Sequence, residues 1–189
     1  MTASSTAKRV VVAINPTASF GAKAAIGPAL VQTLRAEGHQ VQSLTEPSWG
    51  ELLESARAAV KSRPDALVVV GGDGMVNLGT NLVAGTKVPL GIVPSGTGND
   101  MARALGIPHE NAEAAIRALT DALRDGPRTI DAGRISYVDD ATGQPAQRWY
   151  LCALSAGFDA IVNERANRMR HPKGPSRYIL ALLIELMKL

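Results

Sequence analysis

The sequence predicts an α/β fold built on a doubly wound parallel sheet, followed by the start of a second, β-rich domain. Three observations carry that prediction. Short β-branched runs alternate with segments of helical apolar spacing as far as Gly126, and parallel strands need such crossovers. Two glycine-rich turns, Gly71-Gly72-Asp73-Gly74 and Pro94-Ser95-Gly96-Thr97-Gly98-Asn99-Asp100, each come straight after an apolar run. From Pro127 onward the alternation stops, and two strand-like runs are joined by turn residues alone. The expected domains are therefore 1–126 and 127–189.

Arg9 to Ile14 is an almost unbroken β-branched run, as suits a strand covered on both faces, and Asn15-Pro16 ends it. Ile26, Leu30 and Leu34 recur at helical spacing up to Gly38, with Gly27-Pro28 near the start. Val41 to Leu44 reads as a second strand. Ser48-Trp49-Gly50-Glu51 has capping-box spacing and opens a helix through Leu52, Ala56 and Val60 to the break at Pro64. Ala66 to Val70 is the third strand. After the first glycine turn a short helix is expected over Val76 to Val83, then a strand over Pro89 to Val93. Past the second turn, Asn99 or Asp100 is expected to cap a helix through Leu105, and Asn111 with Glu113 opens one carrying Ile116, Leu119 and Leu123. Ligands of such sheets gather at the carboxyl ends of the strands, where Asn15, Asp73 and Thr97 would lie.

Beyond Pro127, Thr129 to Val138 and Arg148 to Leu154 read as strands around the turn Asp139 to Pro145, with Cys152 in the core. Tyr178 to Leu189 is apolar on almost every side, too short to span a bilayer, which takes roughly twenty residues. Such a helix is expected to be buried, and the chain is expected to stop partway through its second domain.

With 46% hydrophobic residues in 189, the chain can bury a full core. A lone cysteine excludes an internal disulfide framework, and the polar opening carries no export signal, so the cytoplasm is expected. Arg165, Arg168, Arg170, Lys173 and Arg177 cluster without an intervening acid. A solvated face explains most such clusters. With 4% aromatic residues and no recognition-helix pattern, nucleic acid is not the expected partner. His39, His109 and His171 have no ligand spacing and read as solvated or structural, and Trp49 reads as packing.

Glycine turns after strands let backbone N–H groups converge on an anion, with a following helix adding its N-terminal dipole. Acidic and amide residues beside them suit a hydroxyl or Mg²⁺. The chemistry is that of phosphoryl transfer. No Gly-x-Gly-x-x-Gly follows the third strand and no Gly-Lys-Ser/Thr occurs anywhere, which excludes the common dinucleotide and Walker A loops.

Val70 to Asn77, followed some twenty residues later by Pro94 to Arg103, resembles the catalytic domain of the diacylglycerol kinase family, its bacterial lipid kinases most closely. Asn15 to Ser19, Thr45 and Ile130-Asp131-Ala132-Gly133 fall where that pattern places them. NAD kinases share the first turn, whereas Gly96-Thr97-Gly98-Asn99-Asp100 is the part specific to lipid kinases. The resemblance implies a NAD-kinase-like α/β nucleotide domain with a β-rich second domain, ATP and Mg²⁺ as cofactors, and a lipid hydroxyl as acceptor, first of all that of diacylglycerol. ATP would be contacted by Asn15, Pro16, Thr17, Ala18, Ser19, Thr45, Gly72, Asp73, Gly74, Met75, Val76, Asn77, Leu78 and Thr97, with Asp73 a candidate for Mg²⁺. Met75 and Leu78 stand where the family often has Thr and Glu. The catalytic base and further metal-site acids are expected beyond Leu189, so residues 1–189 alone are expected to be nearly inactive. A lipid substrate gives the basic cluster a second reading, attraction to an anionic surface at the inner face of the membrane, worth about 1 kcal/mol per residue. The alternatives are a kinase of the same fold acting on a sphingoid base, another lipid or NAD, and a non-catalytic nucleotide-binding module.

Overall fold

The β-branched run forms β1 (Arg9–Ile14), and the alternation continues as α1 (Ile26–Ala36), β2 (Gln40–Leu44), α2 (Trp49–Lys61), β3 (Ala66–Gly71), α3 (Asp73–Val83) and β4 (Leu90–Pro94) in a computed structural model. After these come α4 (Asp100–Ala104), α5 (Ala112–Asp125), the hairpin strands β5 (Gly133–Val138) and β6 (Pro145–Tyr150), α6 (Phe158–Arg168) and α7 (Ser176–Leu186). The structure describes residues 7–16, 24–169, 171–172 and 176–188. The chain divides between Cys152 and Ala153 into two compact units.

In the first unit the four parallel strands lie in the order β2-β1-β3-β4. Side chains alternate across them, as the two-residue strand period requires. Val10, Val12, Val68, Val70 and Val93 meet Leu30 and Leu34 of α1 and Ile116, Leu119 and Leu123 of α5. Val11, Ala13, Leu67, Val69 and Ile92 meet Leu52 and Ala56 of α2, Met75, Val76 and Leu78 of α3, and Met101 of α4. With both faces covered, β3 is buried at every position. The chain runs from β1 outward to β2 and then back past β1 to β3. That reversal puts the switch point between β1 and β3, where such sheets open a crevice.

Helix ends follow their caps. Ser48 Oγ accepts from the Glu51 N–H at 3.3 Å, and the Glu51 carboxylate accepts from the Ser48 hydroxyl at 2.6 Å. Asn111 Oδ1 accepts from the Ala114 N–H at 3.0 Å. Pro28 sits in the first turn of α1, where its missing N–H costs nothing. Three expectations need correcting. The third helix begins at Asp73 rather than Val76, with Gly72 as an extended N-cap, so Asp73 and Gly74 are its first turn and not a loop. Asn99 holds a left-handed conformation and spends its side chain on Gly96 instead of capping α4. Cys152 is exposed, because the β5–β6 ladder ends at the Gly133–Tyr150 pair.

The hairpin loop is an Asx turn: Asp139 Oδ1 accepts from Ala141 and Thr142 N–H at 2.9 and 3.1 Å. Arg134 stacks on Trp149 at 5.3 Å.

In the second unit, Val162 and Ala166 of α6, whose helical pattern is too weak to read from sequence, pack on Ala181 of α7. The apolar run of α7 is not enclosed by this unit: Ile179, Leu183 and Met187 stay exposed. An Arg165–Glu185 ion pair joins the helices, with Lys188 at 3.3 Å from the same carboxylate. Among the described residues no helix is long and apolar enough to cross a membrane.

The Arg165 guanidinium bonded to Glu185 holds its carboxyl below the usual carboxylate range. A depressed folded pKa means that the pair stabilises the unit above that range and that this contribution is lost as acid protonates Glu185. Amide exchange in α6 and α7 is therefore expected to be faster in E185Q than in wild type at neutral pH. The difference is expected to close as the pH falls below the carboxylate range; a difference that persists there would contradict the assignment.

Candidate active site

The glycine turns close onto each other at the carboxyl ends of β3 and β4. Ladder pairing carries through to Gly71 opposite Pro94, and the Ser95 N–H donates to the Gly71 carbonyl at 2.9 Å. One residue further on, the backbones touch. A Cβ on Gly96 would lie 2.4 Å from Gly72 Cα, and one on Gly72 would lie 3.0 Å from Gly96 Cα. Only hydrogens fit between them.

Side chains lock the contact. Asn99 closes a ring on Gly96, its Oδ1 accepting from the Gly96 N–H at 2.9 Å and its Nδ2 donating to the Gly96 carbonyl at 3.2 Å. The left-handed φ of 54° at Asn99 makes that ring geometry reachable, and asparagine tolerates it better than most residues. Asp73 reaches across from α3, where Oδ1 accepts from the Met101 N–H in the first turn of α4 at 3.2 Å. A Cβ on Gly98 would come within 2.8 Å of Asp73 Oδ2. The carboxylate thus has a backbone donor of its own.

Helix geometry leaves the first N–H groups of α3 without intrahelical acceptors. Those of Asp73 and Gly74 have none among the described residues, nor have those of Thr97 and Gly98 in the second turn. These donors, with the α3 dipole behind them, suit an anion of phosphate size. Buried Ser95 adds an Oγ with no hydrogen-bond partner among the described residues. On the β1 side the Asn15 N–H donates to the Val70 carbonyl at 3.0 Å, placing Asn15 at the switch point against Gly71.

Of the residues expected at the site, Asn15, Gly72, Asp73, Gly74 and Thr97 come together on this rim, with Pro16 half-buried beside Asn15. Thr17, Ala18 and Ser19 lie outside the described residues. Thr45 is exposed at the end of β2, on the far side of β1. Asn77 is exposed one turn along α3. Met75, Val76 and Leu78 turn their side chains into the core, so they can meet a ligand only through their backbone. Met75 fills the space beneath Gly71, where a Cβ would lie 2.3 Å from Met75 Cγ. Among the described residues no cluster of three His, Cys, Asp or Glu could hold a metal ion.

Two neighbours escaped the sequence. Trp49 is half-exposed, its ring 3.9 Å from where a Cβ of Gly74 would sit, although a cap position gave no sign of that. Asn81 bonds to both Asn77 and the hairpin. Its four-residue spacing from Asn77 was the available signal.

Residues 9–135 match the diacylglycerol kinase catalytic domain family. A diacylglycerol kinase from Mycobacterium tuberculosis is 38% identical over 181 residues, covering 96% of this chain and 56% of the relative. A probable lipid kinase, YegS-like, from Klebsiella pneumoniae is 31% identical over 79% of this chain and 47% of its own length. The crystal structure of a diacylglycerol kinase from Bacillus anthracis superposes with a TM-score of 0.54 at 28% identity, over 73% of this chain and 45% of that one. The chain thus spans about half the length of the relatives it matches.

Because backbone meets backbone, G96A has no flexible neighbour to displace and is expected to cost on the order of 2–3 kcal/mol in denaturant unfolding. By contrast G50A, with open space around its Cβ, is expected to fall within about 0.5 kcal/mol of wild type. Equal stability of the two variants would contradict the interlock.

Proposed function

The chain belongs to the diacylglycerol kinase catalytic domain family, and from that premise we propose that it forms the nucleotide half of an ATP-dependent lipid kinase. The reaction is transfer of the γ-phosphoryl group to a lipid hydroxyl, first of all that of diacylglycerol, giving phosphatidic acid. The observation that carries the reading is the contact between the two glycine turns at the carboxyl ends of β3 and β4, each with backbone N–H groups that have no acceptor among the described residues.

Phosphoryl transfer asks a protein mainly to position the phosphates and to neutralise charge as it develops. The Asp73 and Gly74 amides at the α3 N-terminus and the Thr97 and Gly98 amides opposite supply donors fixed before the nucleotide arrives, so little reorganisation is needed during transfer. The Thr97 hydroxyl adds a mobile donor. Asn15 and Pro16 would flank the nucleotide from the β1 side, and exposed Thr45 and Asn77 would reach its outer parts. Asp73 serves first as the link to α4. Asp73 is the acid at the turns that would hold Mg²⁺, which would supply charge neutralisation when bound with the nucleotide; the other acid there, Asp100, is ion-paired with Arg103. The family's β-rich domain would begin at 127 with the hairpin and contribute the base that removes the acceptor proton. The relatives, a diacylglycerol kinase and a probable YegS-like lipid kinase, support a lipid acceptor over NAD.

A direct test pairs ATP binding by residues 1–189 with label transfer from [γ-³²P]ATP by the same chain joined to the second half of the Mycobacterium tuberculosis relative. Diacylglycerol, sphingosine and NAD are the acceptors. Both proteins are expected to bind ATP, and only the joined chain to label an acceptor at an appreciable rate, that acceptor being diacylglycerol. Label in NAD or sphingosine instead, or comparable transfer by residues 1–189, would contradict the proposal.

A further inference from the structure

Asp73, Asn77 and Asn81 recur at four-residue spacing and form one polar row along α3. Asp73 belongs to the interlocked turns, and Asn81 reaches the hairpin. The Trp149 N–H donates to Asn81 Oδ1 at 2.9 Å, and Asn81 Nδ2 donates to the Trp149 carbonyl at 3.0 Å. A neighbouring strand would offer β6 the same two-point pairing. It also fixes the orientation of the Asn81 amide, because reversing it would set donor against donor and acceptor against acceptor.

That orientation propagates. The same Asn81 Nδ2 lies 2.7 Å from Asn77 Oδ1 and 3.0 Å from the Asn77 carbonyl. An amide nitrogen can only donate, so the Asn77 side-chain atom facing it has to be the oxygen. The other end of Asn77, its NH₂ group, is left as the polar end not committed to Asn81, on an exposed residue one turn from Asp73. We infer that Asn81 is a positioning residue that seats the hairpin on α3 and, through the same amide, presents Asn77 as a hydrogen-bond donor to the oxygens of the bound nucleotide. The inference rests on the nucleotide reading of Asn77 proposed above. Hairpin seating and nucleotide affinity are then coupled, and by linkage each strengthens the other.

Asn81→Asp keeps one half of the clasp and reverses the contact to Asn77. Its carboxylate still accepts from the Trp149 N–H but no longer donates to the Trp149 carbonyl, and toward Asn77 it can only accept. It therefore draws the Asn77 NH₂ inward and turns the Asn77 carbonyl toward the ligand. Two readouts are needed for wild type, N81D, N81A, N77A and N77A/N81D: amide exchange at Trp149, and the dissociation constant for MgATP by calorimetry. N81A is expected to speed Trp149 exchange and N77A to leave it unchanged. N81D is expected to give Trp149 exchange between that of wild type and that of N81A, and to weaken ATP about tenfold, the scale of one hydrogen bond to a charged group. N77A/N81D is expected to bind no more weakly than N77A, since the aspartate then has no Asn77 to reorient.

The inference is overturned if N81D binds ATP like wild type, or if N81A leaves Trp149 exchange unchanged. It is also overturned if the N77A and N81D losses multiply in the double variant, which would mean that the new charge acts on ATP directly. Wild type that fails to bind ATP would overturn the nucleotide reading and the coupling with it, and Trp149 exchange in N81A would then judge the hairpin clasp alone.

Discussion

Backbone packs directly on backbone where the Cα atoms of Gly72 and Gly96 meet. That contact sets how close β3 and β4 can bring their following turns, and the rest of the site is arranged around it. Because the turns touch, Asp73 can reach the first turn of α4 and Asn99 can fold back on Gly96. The N–H groups of both turns that have no acceptor among the described residues are thereby brought close together. A side chain on either glycine would separate the turns, and with them the donors that the proposed phosphate site requires.

The surrounding fold supplies the stiffness that such a contact needs. Buried valines on both faces of β3 fix the strand that delivers Gly71 and Gly72, and ladder pairing carries register from Leu67–Leu90 up to Gly71–Pro94. Met75 seals the underside of the first turn. Its thioether chain occupies the space that Gly71 leaves, which gives a packing account of an apolar residue where the family often carries a hydroxyl. Along the outer face of α3, Asn77 and Asn81 extend the polar row toward the hairpin. The helix that begins at the first glycine turn therefore also anchors the first piece of structure beyond the α/β layers.

Much of this was legible in the sequence because local rules and tertiary packing agree there. The β-branched runs became β1 and β3, and the caps at Ser48 and Asn111 act as their spacing promised. The site glycines and Asp73 were identifiable because glycine after an apolar strand has few other uses. Where tertiary contacts decide, the sequence was mute or misleading. Gly-Gly-Asp-Gly reads as a loop, yet α3 starts inside it, since an extended Gly72 is enough to begin the helix. Asn99 reads as a cap, yet a left-handed backbone turns its side chain to Gly96. The apolar neighbours of Cys152 suggest a strand, but its partner strand ends at Gly133. The role of Asn81 depends on a residue 68 positions away, which no local pattern reveals.

The central claim is that two turns from different strands act as one phosphate site. Glycine amides usually stand apart in a ¹⁵N–¹H spectrum, so Gly74 and Gly98 report on the two turns separately during a titration with MgATP. A single site predicts that both resonances move along one binding curve with a common dissociation constant. Movement of Gly74 while Gly98 stays fixed, or two different constants, would contradict it.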